Sequence, residues 1–260
     1  MIFESHAHYD DEAFDEDREE LLDNLKKKGI EYVINVGASI KTTRNTIALT
    51  QKYPFIYGAA GVHPSDTAEL NEENFAWLKE QCSLPKIVAV GEIGLDYYWD
   101  EPDRQIQKEW FDRQLQMARE VRLPVVIHSR DAAKDTVDMM RAAKAEEIGG
   151  VIHCFSYTKE TAREFLDMDF SFGIGGVITF NNAKKLKEAV EYIPMDKILL
   201  ETDSPYLAPV PYRGKRNTSL NIPFIAEKIA ELKGITYEEV VNITSQNAKR
   251  LFQINKKYGE

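Results

Sequence analysis

Five histidines are the full complement of this 260-residue chain, and each stands where an apolar run gives out. His6 and His8 form a His-x-His pair closing the first run. His63 sits in Gly-Val-His-Pro, His128 ends Pro-Val-Val-Ile-His, and His153 ends Gly-Val-Ile-His. Two acidic stretches share this setting, Gly91-Glu92-Ile93-Gly94-Leu95-Asp96 and Glu201-Thr202-Asp203-Ser204-Pro205. Imidazole and carboxylate are the donors that hold Zn and similar divalent cations. Converging run ends would therefore make a metal centre.

Each residue also has a plainer role to be weighed. Alternation sends His6 and His8 to the same side of a strand, where both can grip one ion. An isolated His-x-His is as readily a pair of polar turn residues, but the three other run-terminal histidines favour metal. Glu92 can bridge two cations about 3.5–4 Å apart; otherwise it is a buried glutamate paired with an arginine. A lone His128 or His153 is more often a hydrogen-bonded core residue, an explanation that weakens when two occur in consecutive units. Asp203 can act as a ligand and as a base toward an activated water, or as a turn residue before Pro205. Asp96 suits a turn or support of a ligand.

The elements that must position these groups alternate along the chain. Continuously apolar, β-rich runs occupy residues 2–5, 32–36, 56–62, 87–91, 124–128, 150–153, 170–174 and 197–201. Their lack of polar alternation fits parallel strands covered on both faces. Helical periodicity fills 15–28, 42–52, 72–81, 104–121, 132–145, 160–166 and 183–192, followed by 222–232 and 237–252. Gly29 stops the first helix after Lys26-Lys27-Lys28, and Thr236 with Glu239 forms a capping box before the last. Eight units at a spacing of roughly thirty residues predict one (β/α)₈ TIM barrel over residues 1–260, whose strand ends meet at one mouth. An open doubly wound sheet is the rival, but Ser-His-Ala-His-Tyr stands where its glycine-rich phosphate turn belongs.

Composition narrows the setting. A hydrophobic fraction of 43% and a charged fraction of 29% are ordinary for a globular chain. No run reaches membrane-spanning length, the start lacks a secretory pattern, and the two cysteines have no pairing motif. A reducing cytoplasmic location with no membrane partner is the expectation. With 43 acidic against 33 basic residues, the net charge of −10 argues against a long nucleic-acid footprint. It allows an enzyme that meets a few phosphates at a metal site, where cations reverse the local field.

The stretches Ser5-His6-Ala7-His8, Gly61-Val62-His63-Pro64, Gly91 to Tyr97, His128-Ser129-Arg130, His153-Cys154-Phe155-Ser156 and Glu201 to Leu207 resemble the TatD-type metal-dependent deoxyribonucleases, within the amidohydrolase-like barrels. The resemblance runs from residue 2 to the last helix and includes Arg213-Gly214-Lys215-Arg216-Asn217. It implies two divalent metal ions (Zn, Mn, Mg, Fe or Ni), one held by His6, His8, Glu92 and Asp203, the other by Glu92, His128 and His153. It also implies a phosphodiester hydrolase working on DNA from single-stranded or frayed ends, an exonuclease, through a water that both metals activate. By the same resemblance, Glu92 and Asp203 are expected to carry the catalysis. His63, Arg130 and Arg213 are the candidate substrate contacts, and Tyr97-Tyr98-Trp99 can stack a base. The chain departs from the family pattern at Glu4, commonly aspartate, and at Tyr157, commonly glycine. A hydrolase of a small amide, lactone or ester is the alternative, and a non-enzymatic binding barrel the third reading. No obligate protein partner is inferred.

Overall fold

Apolar runs without alternation need cover on both faces, and the chain supplies it with eight parallel strands inside a ring of helices. The computed structural model describes residues 1–254. The strands are β1 (Ile2–Ala7), β2 (Ile30–Val36), β3 (Ile56–Ala60), β4 (Ile87–Asp96), β5 (Val125–Arg130), β6 (Gly150–Ile152), β7 (Ser171–Ile174) and β8 (Ile198–Leu200). They pair in sequence order, each parallel to the next. The helices are α1 (Arg18–Leu25), α2 (Ile40–Lys52), α3 (Glu72–Gln81), α4 (Arg104–Val121), α5 (Ala133–Ala142), α6 (Lys159–Leu166), α7 (Lys184–Tyr192), α8 (Ile222–Lys233) and α9 (Tyr237–Leu251). This is a nearly closed (β/α)₈ barrel. No helix among the described residues is long and apolar enough to cross a membrane.

The seam between β1 and β8 closes just beyond β8. Ala7 and Ser204 form a parallel bridge, His8 N donates to Ser204 O at 2.8 Å, and Asp203 N donates to His6 O at 2.9 Å. Three candidate ligands thus lie on the closure itself. Alternate strand residues, Phe3, Ile34, Tyr57, Val88, Val126, Val151 and Leu199, form a separate apolar cluster with Ala248, Phe252 and Ile254. That cluster includes the end of α9, with Phe3 and Phe252 stacked at 6.1 Å.

Most element boundaries fall within a few residues of the sequence reading. β3 ends at Ala60, two residues early, and the helix expected over 132–145 ends at Ala142. The first helix is shorter than 15–28: α1 gives way to a 3₁₀ turn at Lys26–Lys28, which Gly29 stops in the left-handed region at φ 91°. The larger difference is β4, which continues past Gly91 to Asp96. Glycine there allows close approach of neighbouring strands. A Cβ on Gly61 would lie 2.6 Å from the Gly91 backbone, and one on Gly94 would lie 1.9 Å from His128 O.

Register slips in β1 between Glu4 and Ala7, and in the β4–β5 pair between Val90 and Ile93. Bulges of this kind re-aim a side chain relative to the pleat. The first contains His6 and the second contains Glu92.

Candidate metal centre

At the seam, four donor atoms face one another. His6 Nε2 and His8 Nε2 are 3.1 Å apart. Glu92 Oε2 lies 3.3 Å from His6 Nε2 and 3.7 Å from His8 Nε2, and Asp203 Oδ1 lies 3.6 and 3.3 Å from the same two atoms. Ligands held tetrahedrally at about 2.0–2.1 Å from zinc stand about 3.3–3.4 Å apart. The group therefore has the spacing of a divalent-cation cage. His8 Nδ1 donates to Val36 O at 2.8 Å, which leaves Nε2 with its lone pair toward the cage whenever the ring is neutral.

A second group shares Glu92. Its Oε1 lies 2.7 Å from both His128 Nδ1 and His153 Nε2, which are 3.2 Å apart. These are hydrogen-bond distances, so a cation here requires the donors to part by about half an ångström. His128 Nε2 meets Asp96 Oδ2 at 3.0 Å. Asp96 Oδ1 accepts from Tyr98 N and Trp99 N, so this aspartate forms a turn as well as meeting His128.

Charge is distributed unevenly over the mouth. Burial pushes the Glu92 carboxyl up, but the His153 charge and hydrogen bonds from His128, His153 and His6 prevail and hold it well below the usual range. Burial opposes protonation of His153, yet Glu92 raises it well above an ordinary histidine. Burial also opposes protonation of His8, but Asp203 raises it to about 9. His6 is lowered by burial and by the His153 charge. In this arrangement, imidazole protons supply the positive charge that Glu92 and Asp203 require, a role open equally to cations.

His63 differs from the other four. Ser65 N donates to its Nδ1 at 3.1 Å, so the neutral ring carries its proton on Nε2, 3.8 Å from Glu92 Oε1. Burial and the neighbouring His128 lower it to about 3. It offers an N–H to the mouth and not a lone pair.

The mouth opens into a cavity of about 750 Å³ lined by His8, His63, Glu92, His128, His153 and Asp203, with Arg130, Trp99, Tyr206 and Leu207 toward its rim. His6 lies wholly buried behind it. The Arg130 guanidinium lies 3.8 Å over the Tyr98 ring, and the nearby Asp135 is occupied by Lys108 and Tyr97. Arg213 is not brought to the cavity. It is exposed and stacks 4.3 Å over Phe180. Of the three aromatics, Trp99 alone lines the opening, 64% exposed.

Sequence reasoning missed the buried polar residues that hold these groups. Glu4 is fully buried and accepts from His6 N, Thr202 N, Thr202 Oγ1 and Ser219 Oγ, tying β1 to the chain after β8. Burial pushes its carboxyl up to about 8. From α4, Gln114 pairs with both backbone groups of Val62, beside His63, and Gln107 does the same for Asp96. Glutamines on the apolar face of an amphipathic helix were the available signal. Tyr157, the other departure, joins Ser129 Oγ at 3.0 Å and so anchors its loop to the end of β5.

The family model described as TatD related DNase matches residues 3–253. The chain belongs to the TatD-related DNase family. It is 47% identical over 255 residues to the uncharacterized metal-dependent hydrolase YabD of Bacillus subtilis (strain 168), covering 98% of this chain and all of that one. It is 30% identical over 260 residues to the 3′-5′ ssDNA/RNA exonuclease TatD of Rahnella sp. (strain Y9602), covering 98% and 99%. The crystal structure of YJJV, a TatD homologue from Escherichia coli K12, superposes with a TM-score of 0.92 at 27% identity over 98% of both chains. Family membership thus agrees with the motifs that line the mouth.

Proposed function

We propose that this chain is a metal-dependent phosphodiester hydrolase that removes nucleotides from the ends of single-stranded or frayed DNA. The observation that carries the reading is the convergence of four imidazoles and two carboxylates from five separate parts of the barrel, with Glu92 presenting one oxygen to each donor group. His6, His8, Glu92 and Asp203 would hold one divalent cation, and Glu92, His128 and His153 a second. Nitrogen-rich donors favour Zn, Mn, Fe or Ni over Mg. When bound, such a pair supplies an activated water and neutralises charge on the phosphate oxygens.

The chain's own groups do the rest. Asp203 stands at the rim side of the first group, where its carboxylate takes the proton released by the attacking water. His63 Nε2–H donates to a phosphate oxygen of the scissile group. Arg130, planar and permanently charged, meets the next phosphate at the opening. Trp99 and Tyr206 offer exposed ring faces, 64% and 54% accessible, on which terminal bases can stack. Asp10, Asp11 and Asp66 also line the cavity, so the mouth repels a long phosphate backbone and favours one or two nucleotides.

The test is digestion of 5′- and 3′-labelled single strands, blunt duplex and closed single-stranded circles with Mn²⁺, Mg²⁺ or Zn²⁺ added. Stepwise shortening from an end, absent on closed single-stranded circles, is expected. Cleavage of simple carboxylate esters or lactones with no release of nucleotides would replace this reading by the small-substrate one.

A further inference from the structure

Among the described residues, four buried side-chain polar atoms have no hydrogen-bond partner, and three of them belong to one cluster: His6 Nδ1, His153 Nδ1 and Glu201 Oε2. The two rings stack nearly parallel, centroids 4.0 Å apart and planes 13° from each other. One nitrogen from each ring and one Glu201 oxygen lie within 4.8 Å of one another, and His153 Nδ1 stands 3.7 Å from Glu201 Oε1. All three residues are buried, and of them only His153 lines the cavity.

The carboxylate has been given space there. A Cβ on Gly173 of β7 would fall 1.9 Å from Glu201 Oε2, so only glycine leaves room for the side chain. Cys154 N donates to Glu201 Oε1, which orients the group without using its second oxygen. Nothing in the proposed chemistry uses Glu201, although a buried carboxylate oxygen left without a partner is costly.

Tautomers supply one. Both His6 and His153 face the two donor groups through Nε2. A ring that ligates through Nε2 carries its proton on Nδ1, and that N–H needs an acceptor. His8 has Val36 O on its far nitrogen and His128 has Asp96. Among the described residues, the Nδ1 atoms of His6 and His153 have no such partner, and Glu201 is the carboxylate that clusters with both rings. We infer that Glu201 is a positioning residue, the shared acceptor for the Nδ1 protons of His6 and His153, so that one buried carboxylate orients a ligand of each cation. A third cation between these atoms is the competing use of the cluster. It would demand lone pairs on both Nδ1 atoms and hence two imidazolates, which a neutral metal-ligating histidine does not provide.

The inference rests on the proposed assignment of His6 and His153 to the two ions, and the experiment separates the two claims. Full-length protein with ¹⁵N-labelled histidine is titrated with diamagnetic Zn²⁺, and long-range ¹H–¹⁵N spectra report which nitrogen of each ring carries the proton. Stoichiometry is read by elemental analysis. Expected are two zinc ions per chain, with His6 and His153 both protonated at Nδ1. In Glu201→Gln the amide N–H₂ would face the imidazole N–H groups, and affinity for both ions should fall about 10–100-fold. Gly173→Ala, which displaces the carboxylate but keeps its charge, should lower affinity in the same direction. Metal-free unfolding midpoints identify any general loss of fold. Two bound ions with an unprotonated Nδ1 on either ring would overturn the role of Glu201 and leave the metal assignment standing. So would a Glu201→Gln variant with affinities within about twofold of the parent, against the expected range. A zinc-saturated parent with fewer than two ions overturns both claims, and three ions with both Nδ1 atoms unprotonated favours the third-cation site.

Discussion

Asp203→Asn separates chemistry from folding at this mouth. Asp203 adopts φ 56°, in the left-handed region, and its N–H donates to His6 O across the barrel seam. Asparagine tolerates that backbone nearly as well as aspartate does, whereas most other side chains cost roughly 1–2 kcal/mol there. The amide keeps the size of the carboxylate and the seam hydrogen bond, losing only the charge 3.3 Å from His8 Nε2. The expected loss of metal-free stability is therefore that of one charged contact, about 1.5–3 kcal/mol. Removal of a positioned base costs about 10²–10⁴ in turnover, or roughly 2.7–5.4 kcal/mol in the barrier. Asp203→Ala should be as inactive as Asp203→Asn but less stable than it by about 1–2 kcal/mol, because alanine also carries the backbone strain. Turnover of end-labelled DNA at saturating metal and urea unfolding after chelation measure the two quantities separately. An Asp203→Asn variant that keeps more than a tenth of wild-type turnover removes the base role. One that unfolds as readily as Asp203→Ala shows that the backbone argument is wrong.

Other perturbations probe the shell and the rim. Gln114→Met keeps the volume on α4 but leaves both backbone groups of Val62 unpaired, so urea unfolding should show a loss of about 2–4 kcal/mol. A change below about 0.5 kcal/mol would show the pair to be dispensable. Trp99→Ala, at a site 64% exposed, should raise KM for single-stranded DNA several-fold with unchanged melting temperature, and an unchanged KM excludes stacking there. Chelation should lower both melting temperature and turnover, and re-added metal should restore them. Binding of single strands, measured with the inactive Asp203→Asn variant against salt, should give a shallow slope of about −0.7 to −1.4, the signature of one or two neutralised phosphates. A slope several times steeper would point to a long basic track elsewhere on the surface.

The barrel was legible because its strands are buried on both faces and cannot hide among polar residues. The histidines were legible because a strand end is the one place in such a fold where a side chain meets both the backbone core and the mouth. β4 was read as ending at Gly91 but continues to Asp96, with Gly91 and Gly94 letting β3, β4 and β5 approach one another. Arg213 was singled out with the loop that resembles the family's, and its guanidinium lies over Phe180. The supporting residues were harder still. Gln114 and Glu201 meet partners 52 and 47 residues away in sequence, so no local pattern reveals which group each one pairs with.

That difference explains how an acidic chain can be read as acting on a polyanion. Charge counted along the sequence, −10 in all, describes the surface that solvent and distant ligands experience. The mouth follows another count, set by Glu92, Asp203 and Asp96 against the imidazoles that face them. Carboxylates that would repel phosphate in isolation become the means of holding cations that attract it. The field at the reacting centre is then opposite in sign to the field of the molecule. A substrate stabilised only at that centre gains little by lying along the surface, which is the physical reason to expect recognition of an end instead of a strand's length.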